Sequence, residues 1–311
     1  MNREMRALRQ FLAGQPDRAG SLAEERRKDR EAAARLPLPR EVRIDSIELG
    51  GVPVDRVAMP HSNPNHAVLH FHAGAYVFRS AFEYRPFGAA LAAAAAATVY
   101  LVDYRLAPEY PFPAAFNDAL ASYRGLAEKV GASQIVVGGD SAGGGLALAL
   151  AMALRNTNQP PPAGLILASP WADLTCSSET YRTLAAADPR VRRDRLMAQA
   201  DLYLAGADAR DPRASPALGR LDRLPPALVL VGSDEAMLGD ALMVYGGIRA
   251  AGGEARLEVW PDMIHVWHLC ADRLEAGRQA IARMGDYCRR SFDPALPHGE
   301  IDEPRPSSSS G

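Results

Sequence analysis

The sequence predicts an α/β protein, with a mainly parallel sheet carrying helices on both faces. Two observations predict it. From Ala67 onward, short apolar runs of strand length alternate with longer helical stretches, the pattern of a sheet built from crossover units. One of those runs, "SQIVVGGD", leads through a glycine-rich turn directly into an alanine-rich helix, "SAGGGLALALAMAL". A chain of 311 residues is long enough to hold such a sheet as one unit.

Taken in order, the first 35 or so residues are charged and helix-favouring, and Leu8, Phe11 and Leu12 give them a short apolar face. "LPLPR" (Leu36 to Arg40) ends that helical stretch. "VRIDSIEL" and "VPVDRVAM" read as a strand pair turned at Gly50-Gly51. Six more strands are expected at "AVLHFH", "ATVYLVDY", "SQIVVGGD", "AGLILASP", "PALVLVGSD" and "ARLEVWPD". Between Trp171 and Leu224 the chain is charged and has no clear strand, so residues 172–222 are expected to be a helical insertion, a lid over the strand ends. The expected division is a helical segment over 1–40, a main domain over 41–300 containing that insertion, and a polar, disordered tail over 301–311.

Composition narrows the function classes. A formal net charge of -2, with 48% hydrophobic and 23% charged residues, recommends neither nucleic acid nor an anionic membrane surface as partner. Cys176, Cys270 and Cys288 are far apart and show no paired spacing, which argues against a disulfide framework or a zinc site and for reduced thiols. The start, "MNREMRALRQFLAG", lacks a signal-peptide core, and "PFGAALAAAAAATVYLV" falls short of a membrane span. A cytoplasmic protein is the expectation.

Gly139-Asp140-Ser141-Ala142-Gly143 matches Gly-x-Ser-x-Gly, directly after a strand and directly before a helix. A sharp strand-to-helix turn holds such a serine exposed above the sheet, and its neighbours must be small because two backbones almost touch there. A dinucleotide-binding turn is the competing reading, but no acidic residue closes a following strand at the usual distance. A serine hydroxyl needs a base, and the base needs a third group to orient it. In an α/β-hydrolase arrangement the chain order is Ser, acid, His, each on a loop after a strand. Asp234 lies just past a strand after Ser141, and His265 in the loop after the final strand. Glu235 adjoins Asp234 and stays open as the acid. Asp103 precedes the serine and is expected to be structural, Asp240 lies inside the next helix, too far from the strand end, and His268, one turn beyond His265, is expected to pack or face solvent.

The stretch "HAGA" (His72 to Ala75) then acquires a role. A tetrahedral intermediate carries an oxyanion that needs fixed N–H donors. One is expected from Ala142 and the others from the loop after the third strand, at Gly74 and Ala75. His70 and His72 could instead form a metal pair, but no further ligand is near them in sequence, and no metal is expected.

"HAGAY", "VDYRLAPEYPFPAAFNDA", "GDSAGGGLA", "GSDEAMLGDA" and "PDMIHVWH" together resemble the hormone-sensitive-lipase-like branch of the α/β-hydrolase esterases. The resemblance spans Leu69 to His268. It implies Ser141 as nucleophile, Asp234 as acid, His265 as base, and Gly74, Ala75 and Ala142 as oxyanion donors. It also implies a cap built from residues 1–40 and about 172–222, no cofactor, and a tendency to form homodimers. The family's loop has three glycines where this chain has only Gly74 between two alanines, so an alanine at positive φ would force the loop to adjust. The implied activity is hydrolysis of small, uncharged, short-acyl esters, in a pocket to which Tyr76, Phe78, Met263 and Ile264 contribute. The same machinery could serve an amide deacetylase or a lactonase, and a non-catalytic small-molecule receptor on this fold is the rival from another class.

Overall fold

In the computed structural model, which describes residues 1–15, 20–293 and 295, all eight expected strands form, and they make one sheet. They are β1 (Arg43–Leu49), β2 (Val52–Ala58), β3 (Asn63–Phe71), β4 (Ala97–Val102), β5 (Ile135–Asp140), β6 (Gly164–Ala168), β7 (Ala227–Gly232) and β8 (Ala255–Trp260). The sheet order is β1-β2-β4-β3-β5-β6-β7-β8. β1, β2 and β4 pair antiparallel, and every pair from β4 to β8 is parallel.

Burial reflects that placement. The interior strands β4, β5, β6 and β7 are buried along their whole length, which is why they read as unbroken apolar runs. The edge strands β1 and β8 expose part of every turn of the pleat and carry Arg43, Glu48 and Arg256. On one face, Leu69, Phe71, Val137, Leu167 and Val229 pack against α4 (Ala114–Val130), α5 (Ala142–Asn156) and α8 (Leu238–Ala250). On the other, Val68, Val136, Ile166, Leu228 and Leu230 pack against α3 (Arg85–Ala95) and α9 (Glu275–Phe292). Successive residues of one strand serve opposite cores, as the two-residue period requires.

Two further segments contain helices and, among the described residues, no strand. The first holds α1 (Arg3–Ala13) and α2 (Leu22–Ala33), the latter opened by a reciprocal capping pair between Ser21 and Glu24. The second holds the single turn α6 (Thr180–Thr183) and α7 (Arg193–Leu204). The apolar face expected on α1 is shifted: Met5 and Leu8 are the buried pair, while Phe11 is half exposed with the Arg273 guanidinium over its ring. Met5 is one helical turn before Leu8, so the contact stripe runs toward the N-terminus. The expected tail over 301–311 and the last residues of the 41–300 span lie outside the described residues.

Both segments reach over the carboxyl ends of the strands. Arg9 of α1 donates to the Ala187 carbonyl (2.5 Å), to Asp234 (2.6 Å) and to the Asp262 carbonyl (3.3 Å). Arg26 of α2 donates to the carbonyls of Val77 (2.8 Å) and Ala107 (2.6 Å) and pairs with Glu109. Tyr203 of α7 stacks on Tyr76, with ring centroids 3.9 Å apart and planes 7° from parallel.

Candidate active site

Ser141 stands between β5 and α5 with φ 54° and ψ -121°, a conformation that costs a non-glycine residue energy and persists only where the surroundings impose it. Here they do. The Ser141 N–H donates to Ala168 (3.0 Å), and its carbonyl accepts from Gly144 (3.0 Å), Gly145 (3.1 Å) and Trp171 (2.8 Å). A Cβ on Gly143 would stand 2.0 Å from the Phe71 carbonyl oxygen, and one on Gly139 would stand 2.1 Å from that of Gly143. The glycines around the serine are therefore set by backbone contact.

His265 lies in the loop after β8. Its Nε2 lies 3.0 Å from Ser141 Oγ, and its Nδ1 lies 2.7 Å from Glu235 Oε2. The carboxylate can only accept, so Nδ1 carries the hydrogen and Nε2 is left to accept from the serine hydroxyl. Glu235 is fully buried, and its second oxygen accepts from the Gly232 N–H (2.5 Å) and from Ser169 Oγ (2.9 Å). Burial raises its pKa, and the His265 hydrogen bond opposes that rise.

The acid at this position differs from the expectation. Asp234, read from the sequence as the orienting acid, does not touch His265. Its carboxylate faces outward to Arg9 at 2.6 Å and accepts from Ser233 Oγ at 2.8 Å, with about a third of the side chain exposed. The cause is local backbone direction: the Asp234 N–H bonds to the Met263 carbonyl, and the next residue is the one turned toward the histidine. Glu235 is followed by Ala236 and Met237, which are also buried.

The loop after β3 carries Gly74 at φ 117°, Ala75 at 52° and Tyr76 at 63°. The Gly74 carbonyl accepts from Val77 (3.0 Å) and Phe78 (2.8 Å), closing a tight turn. Among the described residues, the N–H groups of Gly74, Ala75 and Ala142 make no hydrogen bond, and Ala142 is the first residue of α5, where no preceding turn of helix offers an acceptor. Ala75 therefore does occupy the left-handed region, where its Cβ is unfavourable.

Of the four residues expected in a pocket, Tyr76 and Phe78 lie on the same face of the sheet as α5. Met263 and Ile264 lie on the other face. They pack into the opposite core with Trp260, Trp267 and Leu230, because the loop after β8 turns its apolar residues under the sheet to hold His265 up. Unforeseen neighbours are Trp171, with its ring 6.1 Å from that of Tyr76, and Tyr203. His70 and His72 go to separate partners. His70 Nε2 bonds Asp140 (2.8 Å), whereas His72 stacks on Tyr104 (4.0 Å) and bonds the Ala73 carbonyl. Burial lowers the His72 pKa to about 4, so this ring is neutral. Asp103 accepts from the Ala81 N–H and lies apart from the serine. A surface cavity of 480 Å³, lined by Arg26, Arg30, Arg79, Asp103 and Arg105, includes none of Ser141, His265 and Glu235. Ser141 and His265 themselves are only 5% and 6% exposed.

Comparison with known proteins agrees with this architecture. Residues 68–269 match the family model described as the alpha/beta hydrolase fold. The crystal structure of an esterase from the bacterial hormone-sensitive lipase family superposes with a TM-score of 0.90, at 38% identity, covering 94% of this chain and 99% of that one. The chain belongs to the hormone-sensitive-lipase-like branch of the α/β hydrolases. An esterase/lipase from an uncultured bacterium is similar, with a TM-score of 0.89 at 36% identity over 94% of this chain and 99% of that one. Among curated relatives, an acetyl-hydrolase of Streptomyces hygroscopicus is 40% identical over 238 residues, 76% of this chain and 80% of the relative. An esterase of Acinetobacter venetianus is 32% identical over 248 residues, 79% and 82% of the two chains. This hydrolase is a carboxylic ester hydrolase. Among the described residues, no helix is long and apolar enough to cross a membrane.

Proposed function

We propose that this esterase works through an acyl-enzyme on Ser141, with His265 as base and Glu235 as the orienting acid, and that it prefers small, uncharged, short-acyl esters. The observation that carries the reading is the His265 ring, which bridges Ser141 Oγ at 3.0 Å and the buried Glu235 carboxylate at 2.7 Å. Ser141 Oγ attacks the ester carbonyl as its proton passes to His265 Nε2. Glu235 stabilises the imidazolium that forms. The N–H groups of Gly74, Ala75 and Ala142 take the developing oxyanion. The proton then goes from Nε2 to the leaving alcohol, and water, deprotonated by the same nitrogen, releases the acid.

The short-acyl preference is supported by what surrounds Ser141. Tyr76, Trp171 and Tyr203 are buried against one another, so the space beside the nucleophile is bounded by rigid rings. The helical segments over 1–40 and 172–222 serve as the cap, since Arg9, Arg26 and Tyr203 fasten them to the loops that carry the reacting groups. A panel of p-nitrophenyl esters from acetate to decanoate tests this reading, with an acetanilide and a lactone alongside. The expected result is kcat/KM highest at two to four acyl carbons and negligible turnover by Ser141→Ala. A maximum at eight or more carbons, or faster amide than ester cleavage, would overturn the substrate reading.

A further inference from the structure

Beneath the proposed site lies a buried polar chain that the acyl-enzyme reaction does not use. The Ala73 N–H donates to Tyr84 Oη (2.8 Å), and the Tyr84 hydroxyl donates to Asp140 Oδ2 (2.6 Å). Asp140 Oδ1 accepts from His70 Nε2 (2.8 Å), and His268 Nε2 stands 3.8 Å from Oδ2. Asp140, His268 and His70 are essentially inaccessible, and Tyr84 is 3% exposed.

The two ends of this chain are adjacent to reacting groups. Ala73 immediately precedes Gly74, the first proposed oxyanion donor, and Asp140 immediately precedes Ser141. The parallel ladder between β3 and β5 ends at the pair Phe71 and Gly139. Beyond that point main-chain pairing no longer holds the oxyanion loop against the serine turn. The path through Tyr84 joins the two where the ladder stops.

We propose that Tyr84 and Asp140 are positioning residues that hold the oxyanion loop in register with the nucleophile turn. Chemistry suits them to it. A carboxylate can accept from two donors at once, so Asp140 ties the Tyr84 hydroxyl and the His70 ring to one anchor. A fully buried carboxylate is tolerated only when paired, and here burial, which would raise its pKa, is outweighed by His70, His268 and Tyr84. The Tyr84 hydroxyl is held well above its ordinary pKa by burial and by the Asp140 charge, so it stays a donor. Displacing a donor by about 1 Å is enough to cost on the order of 10² in rate, which is why such a tie matters to turnover.

This inference rests on the acyl-enzyme reading, and its test separates the two. Steady-state kinetics with p-nitrophenyl acetate would compare parent, Tyr84→Phe, Asp140→Asn, the double variant and Ser141→Ala, with thermal melting of each. Tyr84→Phe should lower kcat roughly 10-fold or more with KM within about 2-fold, and weaken a trifluoromethyl ketone inhibitor in the same proportion. The double variant should be no slower than the slower single, because both cut one chain. If Tyr84→Phe does not fold, Asp140→Asn decides by the same split. An unchanged kcat with a lowered melting temperature would make the cluster structural only and overturn the proposal, as would losses that multiply in the double variant. Parent-like turnover by Ser141→Ala would instead overturn the nucleophile reading beneath it.

Discussion

Replacing Glu235 by Gln removes a charge while keeping side-chain size, and the surrounding donors determine the consequence. Glu235 meets three of them: His265 Nδ1 at 2.7 Å on one oxygen, and the Gly232 N–H at 2.5 Å and Ser169 Oγ at 2.9 Å on the other. Gln offers one oxygen and one NH2. If the oxygen keeps the Gly232 N–H, the NH2 faces His265 and drives the ring to the tautomer with hydrogen on Nε2, which cannot accept the serine proton. If the oxygen turns to His265, the buried Gly232 N–H is left facing a donor. Wrong-tautomer variants of the acid in other serine hydrolases lose on the order of 10⁴ in kcat. A loss of roughly 10³–10⁴, about 4–5.5 kcal/mol in the barrier, is therefore expected. Asp234→Asn breaks only a partly exposed ion pair with Arg9, so kcat should change less than about 3-fold, and stability by under about 1 kcal/mol. Initial rates on p-nitrophenyl acetate, normalised to folded protein, make the comparison. The opposite pattern, with Asp234→Asn dead and Glu235→Gln active, would refute the assignment.

Gly74→Ala should cost at least about 2 kcal/mol in urea unfolding, because φ is 117° and the new Cβ would stand 2.1 Å from the Phe78 carbonyl oxygen. Ala75→Gly should be more tolerant to urea or equal, since glycine removes a left-handed strain of about 1 kcal/mol but adds freedom to the unfolded chain. Arg9→Ala should lower stability by about 1–3 kcal/mol and speed proteolysis near the N-terminus, as three acceptors lose their donor. Asp240 is fully buried, and burial raises its pKa to about 7 from 3.8. Folded protein thus keeps that proton while unfolded chain releases it, so stability falls as pH rises from about 3.8 to about 7 and is flat above. Asp240→Asn should gain stability over the parent at pH 8, by roughly 4 kcal/mol at most, and lose that advantage toward pH 4. Equal pH slopes for the two proteins would contradict this.

Much of the fold and of the site was legible in the residues. Unbroken apolar runs mark β4 to β7 because those strands are covered on both faces, and the glycines flanking Ser141 mark a turn where backbones touch. What escaped reading depends on direction over a single residue. Asp234 and Glu235 both lie just past β7, and only the bond from Asp234 N–H to Met263 decides which side chain turns inward. Met263 and Ile264 adjoin His265 in the chain yet face the other core, for the same reason. Strand order was equally hidden: nothing local announces that β4 lies between β2 and β3. Tyr84 and Asp140 were invisible as a pair because 56 residues separate them.

The role of Ser141 as covalent nucleophile of an ester hydrolase is open to stoichiometric labelling. A fluorophosphonate added in increments should abolish ester turnover in proportion to labelled protein, reaching zero near one label per chain. Peptide mass spectrometry should place that label on Ser141, and Glu235→Gln should be labelled far more slowly. Full turnover with Ser141 modified, or inactivation with the label on another residue, would contradict the account.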